Sequence, residues 1–221
     1  MTKSRLQITL DGSHTLFNTF VDETYHSSFG AIQESKHIFI KHGLAHFKDN
    51  LKIVKILEVG TGTGLNVLLS YLWAEENNVG IEYEGFEPFP LQQYEVASLN
   101  YSELLSIKNE IFSLIHSNKN NEIELSNRFA LKICKSQIQK AQLRDNYYNI
   151  VFFDAFSPVA QPELWTTKVF TKIFKSLASG GILTTYSCKG SVKRSMREAG
   201  FDIEKVPGPP GKREFLLATK G

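Results

Sequence analysis

Cysteine is scarce in this sequence, and long apolar runs are absent. Only two cysteines, Cys134 and Cys188, occur among 221 residues, far apart and without CxxC spacing. So few cysteines argue against a disulfide framework or a zinc site and fit a reducing, cytosolic setting. The first residues lack the apolar core of a signal peptide, and no apolar run approaches the roughly eighteen residues that span a membrane. We therefore expect a cytoplasmic protein with no membrane contact and no metal site.

Neither sign of charge dominates the composition. The formal net charge is +2, and the 42% hydrophobic and 22% charged residues are near the globular average, which argues against disorder. The charge is unevenly distributed, however, because residues 186–221 hold eight lysines and arginines against four aspartates and glutamates. A basic end on a near-neutral body favours contact with a polyanion, although a solvated charged face fits the same count.

Strand and helix signals alternate from residue 54 onward, which predicts an α/β fold with a doubly wound parallel sheet. The apolar patterns predict strands at 54–60, 81–87, 129–137, 147–156 and 182–187. They predict helices at 64–77, 90–104, 163–181 and 191–200, the third ending in a glycine pair. Residues 117–127 read as a polar connection, and 201–221 as a terminal hairpin around a Pro/Gly turn.

The first fifty residues have a different pattern. The runs "RLQITL" and "HTLFNTFV" read as two short strands joined by the turn "DGS", and 29–47 has apolar residues at helical spacing. We predict that residues 1–50 form a small β/α cap, a hairpin and a helix, within the same domain as a core at 51–221.

A glycine-rich loop follows the first core strand, in "LEVGTGTGLN" at 57–66. A dinucleotide fingerprint fails here because Leu65 stands where glycine is required, and no Gly-Lys-Ser/Thr of a P-loop follows. The remaining E-x-G-x-G-x-G pattern resembles the first motif of class I S-adenosylmethionine-dependent methyltransferases, whose loop underlies the amino acid and sulfonium of the cofactor. An ordinary tight turn is the alternative reading. The resemblance implies that this segment binds S-adenosyl-L-methionine through Glu58, Gly60, Thr61, Gly62, Thr63, Gly64 and Asn66.

Two polar residues after later strands extend the proposed cofactor site. Glu87 ends the second core strand, where doubly wound nucleoside-binding folds place an acid that accepts hydrogen bonds from ribose hydroxyls. Gln137 stands where class I methyltransferases often carry an acid for the adenine amino group, and its amide oxygen can accept that bond. The terminal hairpin also resembles these enzymes, whose sheet ends with an inserted antiparallel strand. We therefore expect a Rossmann-like class I methyltransferase sheet with an antiparallel C-terminal hairpin.

The fourth core strand ends at Asp154, in "FFDAFSPVAQPELWTTKVF". Ligands bind at the carboxyl ends of strands in such sheets, so this carboxylate should lie near the glycine loop. A helix cap is the alternative role. This run, with "ETYHSSFGAIQESKHIFI" and "GPPGKREFLLAT", resembles the methyltransferase domain of bacterial tRNA 5-methylaminomethyl-2-thiouridine biosynthesis enzymes (MnmC-type methyltransferases), including its stand-alone form. The matching residues include Asp154, Phe156, Pro158, Pro162, Trp165, Lys212, Arg213 and Glu214.

The resemblance implies N-methylation of 5-aminomethyl(-2-thio)uridine at the wobble position of tRNA. It makes Asp154 the catalytic acid/base, which also touches the cofactor, and Phe156 the wall of the pocket. Without an oxidase domain, other enzymes would have to supply the aminomethyl group. A transferase of methyl or aminopropyl groups to a small free amine, and a catalytically silent nucleoside- or RNA-binding module, remain alternatives. The residues expected to bind substrate are Tyr25, Pro158, Lys189, Lys212 and Arg213.

Overall fold

The computed structural model describes residues 4–117 and 120–221, which form two β-sheets with helices on both faces of the larger one. The smaller sheet contains β1 (Ser4–Ile8), β2 (His14–Asn18) and β3 (Glu23–Thr24) in antiparallel pairing. The larger sheet contains β4 (Ile53–Val59), β5 (Gly80–Phe86), β6 (Glu122–Ser126), β7 (Phe129–Cys134), β8 (Tyr148–Phe153), β9 (Leu177–Thr185), β10 (Asp202–Pro207) and β11 (Glu214–Thr219).

The strand order in the larger sheet is β10-β11-β9-β8-β4-β5-β7-β6. The five central strands run parallel, whereas β11 is inserted antiparallel between β9 and β10, and β6 pairs antiparallel with β7 at the other edge. The order reverses between β4 and β8, so ligands are expected at the carboxyl ends of these strands. The expected doubly wound sheet with an antiparallel C-terminal hairpin is thus confirmed.

Helices cover both faces of the sheet because both faces are apolar. The helices are α1 (Ala31–Ser35), α2 (Leu65–Asn77), α3 (Gln93–Ala97), α4 (Tyr101–Leu104), α5 (Asn109–Ser117), α6 (Thr167–Ser176) and α7 (Gly190–Glu198). One apolar cluster joins α2, α5 and the segment 31–47 to the sheet, and a second joins α6 and α7 to the opposite face. Side chains of β8 contribute to both clusters, as its nearly continuous apolar run predicts.

The N-terminal segment packs against the core as a cap. Its buried apolar side chains belong to the same cluster as β4 and α2. Just before α1 begins, Gly30 N donates a hydrogen bond to Ser27 O at 3.2 Å. The predicted helix over 29–47 is interrupted: α1 continues as a π-helix at Lys36–Lys41, and a 3-10 turn follows at Leu44–Phe47. Gly43 lies between the π-helix and the 3-10 turn. A side chain does not fit at this position, because a Cβ there would lie 2.4 Å from the Phe39 carbonyl oxygen.

The predicted helix at 163–181 is wrong at both ends. A 3-10 turn at Pro162–Leu164 precedes α6, which starts where Thr166 Oγ1 accepts a hydrogen bond from Val169 N. The helix ends at Ser176, and the glycine pair lies inside β9, not at a helix cap. The register of β8 against β9 shifts between Tyr148 and Ile150, so these glycines lie at an irregularity of the ladder.

Two other segments also differ from their predicted form. The single helix at 90–104 is split into α3 and α4, and α5 follows without having been predicted. The connection at 117–127 contains strand β6, while residues 118 and 119 of that prediction lie outside the described residues. The polar sequence of β6 did not indicate a strand because this edge strand carries two exposed glutamates, Glu122 and Glu124.

Candidate active site

A cavity of about 1050 Å³ lies between the carboxyl ends of the central strands and the N-terminal cap. The sheet contributes Gly60 after β4, Glu87 after β5, Gln137 after β7 and Asp154 after β8. These four positions are neighbours because Val59, Phe86 and Cys134 are aligned across β4, β5 and β7, and Val59 is aligned with Phe153 of β8. The cavity therefore crosses the point where the strand order reverses.

The glycine loop lies under this cavity and is packed closely on two sides. Gly60 has a φ of 87°, and a Cβ there would lie 2.7 Å from the Asp154 carbonyl oxygen. Gly62 has a φ of 50°, and a Cβ there would lie 2.9 Å from the Tyr25 ring. Both glycines have a left-handed backbone and a neighbouring group that leaves no room for a side chain. The loop therefore packs closely against Asp154 at the end of β8 on one side and against the cap on the other.

Glu87 is fixed at the end of β5 by two backbone donors. Gly62 N donates to its Oε2 at 2.9 Å, and Phe89 N donates to its Oε1 at 2.9 Å. Burial nevertheless raises the pKa of Glu87, against the lowering effect of these two bonds. Each carboxylate oxygen keeps a second lone pair, so the group can also accept hydrogen bonds from a diol in the cavity.

Two carboxyl groups lie side by side beneath the cavity, joined by one amide. Asn66 Nδ2 donates to Glu58 Oε1 at 2.9 Å and to Asp154 Oδ2 at 3.0 Å. The pKa of Glu58 is raised to about 8, chiefly by burial and also by the neighbouring Asp154 charge. Burial is also the main cause that raises the pKa of Asp154 to about 7. Glu58 is fully buried below the cavity, whereas Asp154 lines it. Asp154 is the group that can exchange a proton with a bound molecule near neutral pH.

The loop after Asp154 is held by several hydrogen bonds to its backbone groups. Asp154 N donates to Val59 O at 2.9 Å, and the Tyr186 hydroxyl donates to Ala155 O at 2.8 Å. Phe156 N donates to Gln161 Oε1 at 3.1 Å, and Trp165 Nε1 donates to Phe156 O at 2.8 Å. Pro162 and Trp165 of the sequence motif thus belong to a turn that fixes Asp154 and Phe156. The residue that caps this turn is Gln161, so Asp154 is not a helix cap.

The cap closes the opposite side of the cavity with an aromatic residue. The ring centroids of Tyr25 and Phe156 are 4.9 Å apart in an edge-to-face arrangement. Tyr25 thus contacts the glycine loop through Gly62 and the loop after β8 through Phe156. Glu23 on β3 is joined to the same loop, because Ser157 N donates to its Oε2 at 2.9 Å and the Ser157 hydroxyl donates to its Oε1.

An ion pair between the cap and the C-terminal hairpin also lines the cavity. Lys212 Nζ, from the turn of the C-terminal hairpin, lies 2.6 Å from Glu34 Oε1 of α1. The same ammonium lies 4.1 Å from the centroid of the Tyr186 ring. Glu34 Oε2 accepts a hydrogen bond from Ser27 N at 2.8 Å. His26 lies nearby in the wall, and burial lowers its pKa to about 4, so it is neutral.

The structure brings together half of the residues that the sequence singled out. The cavity is lined by Tyr25, Gly60, Gly62, Glu87, Gln137, Asp154, Phe156 and Lys212. The other predicted residues lie outside the lining. They are Glu58, Thr61, Thr63, Gly64, Asn66, Pro158, Lys189 and Arg213.

Several cavity residues were not selected from the sequence. Glu23 begins the family-like run at 23–40 but was not selected, and the contacts of Glu23 and Tyr186 in the structure join distant segments of the chain. Tyr186 could have been found because it directly follows β9, which neighbours β8, and a parallel sheet brings the residues after its strands to the same edge. Glu23 lies on a two-residue strand that has no clear sequence signal.

The fold and the cavity together define a class I methyltransferase: strand order, inserted antiparallel strand, glycine loop after β4 and acid after β5. A family model described as "S-adenosyl-L-methionine-dependent methyltransferase" matches residues 103–221. The chain belongs to this family. Among the described residues, helices are too short and too polar to cross a membrane.

The names of individual relatives are more specific than the description of this family. The chain is 29% identical to the tRNA 5-methylaminomethyl-2-thiouridine biosynthesis bifunctional protein MnmC of Leptospira interrogans, covering 90% of this chain and 32% of that protein. It is 28% identical to the corresponding protein of Azoarcus sp., covering 98% and 35%. The chain therefore spans about a third of the length of these curated relatives.

Among solved structures, MnmC2 from Aquifex aeolicus superposes with a TM-score of 0.82 at 28% identity, over 100% of this chain and 71% of that one. The resemblance to MnmC-type methyltransferases noted in the sequence is confirmed by these matches. Spermidine synthase from Thermotoga maritima superposes with a TM-score of 0.53 at 13% identity, over 99% of this chain and 72% of that one. This second likeness shows the fold alone.

Proposed function

We propose that this chain methylates the exocyclic amine of 5-aminomethyl(-2-thio)uridine at the wobble position of tRNA, forming the 5-methylaminomethyl product. The observation that carries the proposal is Asp154, a carboxylate in the cavity wall with a pKa raised to about 7 beside the glycine loop. Such a group can bind an alkylammonium and accept its proton. The MnmC relatives, named for tRNA 5-methylaminomethyl-2-thiouridine biosynthesis, support the choice of substrate.

The cavity suits S-adenosyl-L-methionine, which would supply an electrophilic methyl group bound to a sulfonium. The glycine loop allows a close approach that a side chain would block, and Glu87 has lone pairs free for ribose hydroxyls. Leu91 and Ile138 give an apolar wall next to Gln137 for a purine. Asn66 and Glu58, which lie outside the lining, would act by holding Asp154 in place.

The central step for the protein is removal of a proton from the substrate amine. An alkylammonium has no lone pair and cannot act as a nucleophile until it is deprotonated. The Asp154 carboxylate holds the ammonium by a charge-assisted hydrogen bond, accepts its proton, and leaves a neutral amine oriented towards the methyl donor. Phe156 and Tyr25 would stack against the uracil and keep water away from the reacting amine.

The tRNA outside the cavity would contact basic residues near the same edge of the sheet. Lys189 follows β9 and Arg213 precedes β11, and both side chains are exposed. Phosphate contacts fix a nucleic acid in position without reading its sequence. Because the proposed substrate already carries an aminomethyl group, the reaction follows those that install this group.

We also propose that residues 1–50 act as a cap on a methyltransferase core at 51–221, within one domain. The shared apolar cluster of cap and core supports this division. The cap would close the site through Tyr25, Glu23 and Glu34. Removal of residues 1–50 should lower the melting temperature of the core, whereas an independent cap would leave that temperature unchanged.

One assay tests the substrate directly. The chain is incubated with methyl-labelled S-adenosyl-L-methionine and with tRNA that either bears or lacks the aminomethyl group, and the digested nucleosides are identified. Label in 5-methylaminomethyl(-2-thio)uridine, and only with the aminomethylated tRNA, is the expected result. Label on a free diamine offered in parallel, with none on tRNA, would contradict the proposal.

A further inference from the structure

The C-terminal hairpin carries two lysine–glutamate pairs in very different surroundings. Lys205 lies 2.8 Å from Glu214, and 48% of the lysine side chain and 29% of the glutamate side chain are exposed. Lys212 lies 2.6 Å from Glu34, with only 26% and 9% exposed. The first pair is a surface contact within the hairpin. The second joins the hairpin to the cap inside the cavity.

The Lys212 ammonium is held in place from two directions. Glu34 Oε1 binds it on one side, and the face of the Tyr186 ring receives it on the other, at 4.1 Å from the centroid. Both partners are themselves fixed. Ser27 N donates to Glu34 Oε2, and the Tyr186 hydroxyl donates to Ala155 O, the residue next to Asp154. A flexible lysine held this firmly gives a localised positive charge.

This charge acts on the cavity together with several titratable groups. The Asp154 carboxyl has a pKa raised chiefly by burial and further by the Glu34 charge, whereas the Lys212 charge lowers it. Glu58 and its neighbour Tyr83 lie beneath Asp154, and burial keeps both neutral near pH 7. Glu23 faces Tyr186 from the cap, and His26 is neutral in the wall. The cavity lining is mainly acidic and includes two lysines, of which Lys135 follows β7 and Lys212 is the one whose charge acts on Asp154.

We propose that the Glu34–Lys212 pair is a positioning element of the amine site: Lys212, held by Glu34 and Tyr186 at the cavity wall, disfavours the protonated form of the substrate amine and favours the carboxylate form of Asp154. The inference rests on the proposed function for its substrate. A neighbouring cation makes a second ammonium less stable, so the amine loses its proton to Asp154 more readily. Glu34 limits this effect and fixes the position from which it acts.

The two members of the pair have opposite charges, so their removal has opposite consequences. Lys212→Met takes away the cation, and the acidic limb of the pH profile of kcat/KM should move up by about one pH unit. Glu34→Gln takes away the anion but keeps the shape, and the same limb should move down. Lys212→Arg keeps the charge and should restore the wild-type limb. Lys205→Met, on the same hairpin, is the matched control and should leave the limb in place.

A purely structural ion pair would behave differently. Both variants would then lower the melting temperature while the acidic limb stayed in place or moved in one direction. Either result would overturn the inference. Since Lys212→Met removes an ammonium from a partly buried pair, its melting temperature is measured alongside, and Lys212→Gln offers a second neutral variant with a polar end.

A titration without tRNA separates this inference from the proposed function. The Asp154 carboxyl is followed by NMR in protein with ¹³C-labelled aspartate, and Asp154→Asn identifies the signal. Its midpoint should rise in Lys212→Met and fall in Glu34→Gln; equal or absent shifts would contradict the inference whatever the substrate is. If those shifts occur but wild-type protein leaves aminomethylated tRNA unlabelled, the proposed substrate is wrong and the electrostatic role of the pair stands.

Discussion

The sheet wall and the cap wall of the cavity both contain carboxyl groups, but these groups have opposite kinds of partner in the two walls. In the sheet wall, Asp154 shares one neutral amide, that of Asn66, with Glu58, which is buried directly beneath the wall, and both carboxyls have raised pKa values. In the cap wall, Glu34 faces the Lys212 ammonium, and Glu23 accepts two hydrogen bonds from Ser157. The first pair of carboxyls has no cation within hydrogen-bonding distance among the described residues, whereas Glu34 has one.

This difference indicates which carboxyl groups suit proton transfer and which suit holding the cap against the core. A buried carboxyl without a counter-ion holds its proton near neutral pH and gains most from an incoming cation, as an amine site requires. A carboxyl that is already satisfied gains little from a ligand, and it is better suited to joining two segments of the chain. The sheet wall is therefore assigned to proton transfer in our proposal, and the cap wall to positioning.

The largest expected effect comes from removing the charge in the sheet wall. Asp154→Asn should lower methyl transfer by about 10²–10⁴-fold, because the amide cannot accept the proton of the substrate ammonium. Binding of S-adenosyl-L-methionine by calorimetry should change little. Unchanged turnover would contradict the assignment, and a lost cofactor affinity would move Asp154 from the amine site to the cofactor site.

The same variant tests the raised pKa through stability. A folded-state pKa of about 7, against an ordinary aspartate pKa of 3.8, means that the neutral carboxyl favours the folded state. This contribution is complete below about pH 4 and is lost as the pH rises through about 7. Asp154→Asn stays neutral, so its melting temperature should exceed that of wild type by an increasing margin between pH 4 and 7. A constant margin would mean that Asp154 is not held neutral in the fold.

A smaller effect is expected when the amide between the two carboxyls is removed. Asn66→Ala deletes the donor shared by Glu58 and Asp154, and the unfolding free energy should fall by about 2 kcal/mol at pH 8. The loss should be smaller at pH 5, where both carboxyls are protonated. Asn77→Ala, at the end of the same helix, removes only a bond to Trp73 O and is the matched control. Equal, pH-independent losses in the two variants would show that the shared amide has no special role.

The sheet wall could be predicted from the sequence to a much greater degree than the cap wall. Gly60, Gly62 and Asp154 stand directly after apolar strands, so local pattern and parallel topology together bring them to one edge. The Glu34–Lys212 contact joins segments at opposite ends of the chain, and no local pattern records such a pairing. The sequence mispredicts the end of α6 for a related reason, because the glycines of β9 are explained by the sheet register and not by the helix before them.

Outside both walls, the exposed basic residues give a weaker and salt-dependent effect. Lys189→Glu combined with Arg213→Glu should weaken tRNA binding, and the slope of log K against log salt should flatten by roughly 0.7–0.9 per lost phosphate contact. Lys52→Glu, at the amino end of β4 and hence at the opposite end of the sheet, is the control. Equal slopes in the double variant and wild type would remove these two residues from the tRNA surface.

The smallest effect distinguishes the cap wall from the sheet wall most sharply. Glu23→Gln removes a charge but leaves an amide oxygen that can still accept from Ser157, so the link between β3 and the loop after β8 is weakened, not broken. We expect KM for tRNA to rise by several-fold, corresponding to about 1 kcal/mol, with kcat and the acidic limb of the pH profile unchanged. Glu103→Gln, an exposed acid on α4, serves as the control for lost charge. A fall in kcat at constant KM would show instead that the cap wall takes part in proton transfer, because a group that only holds the loop in place has no reason to act in the transition state alone.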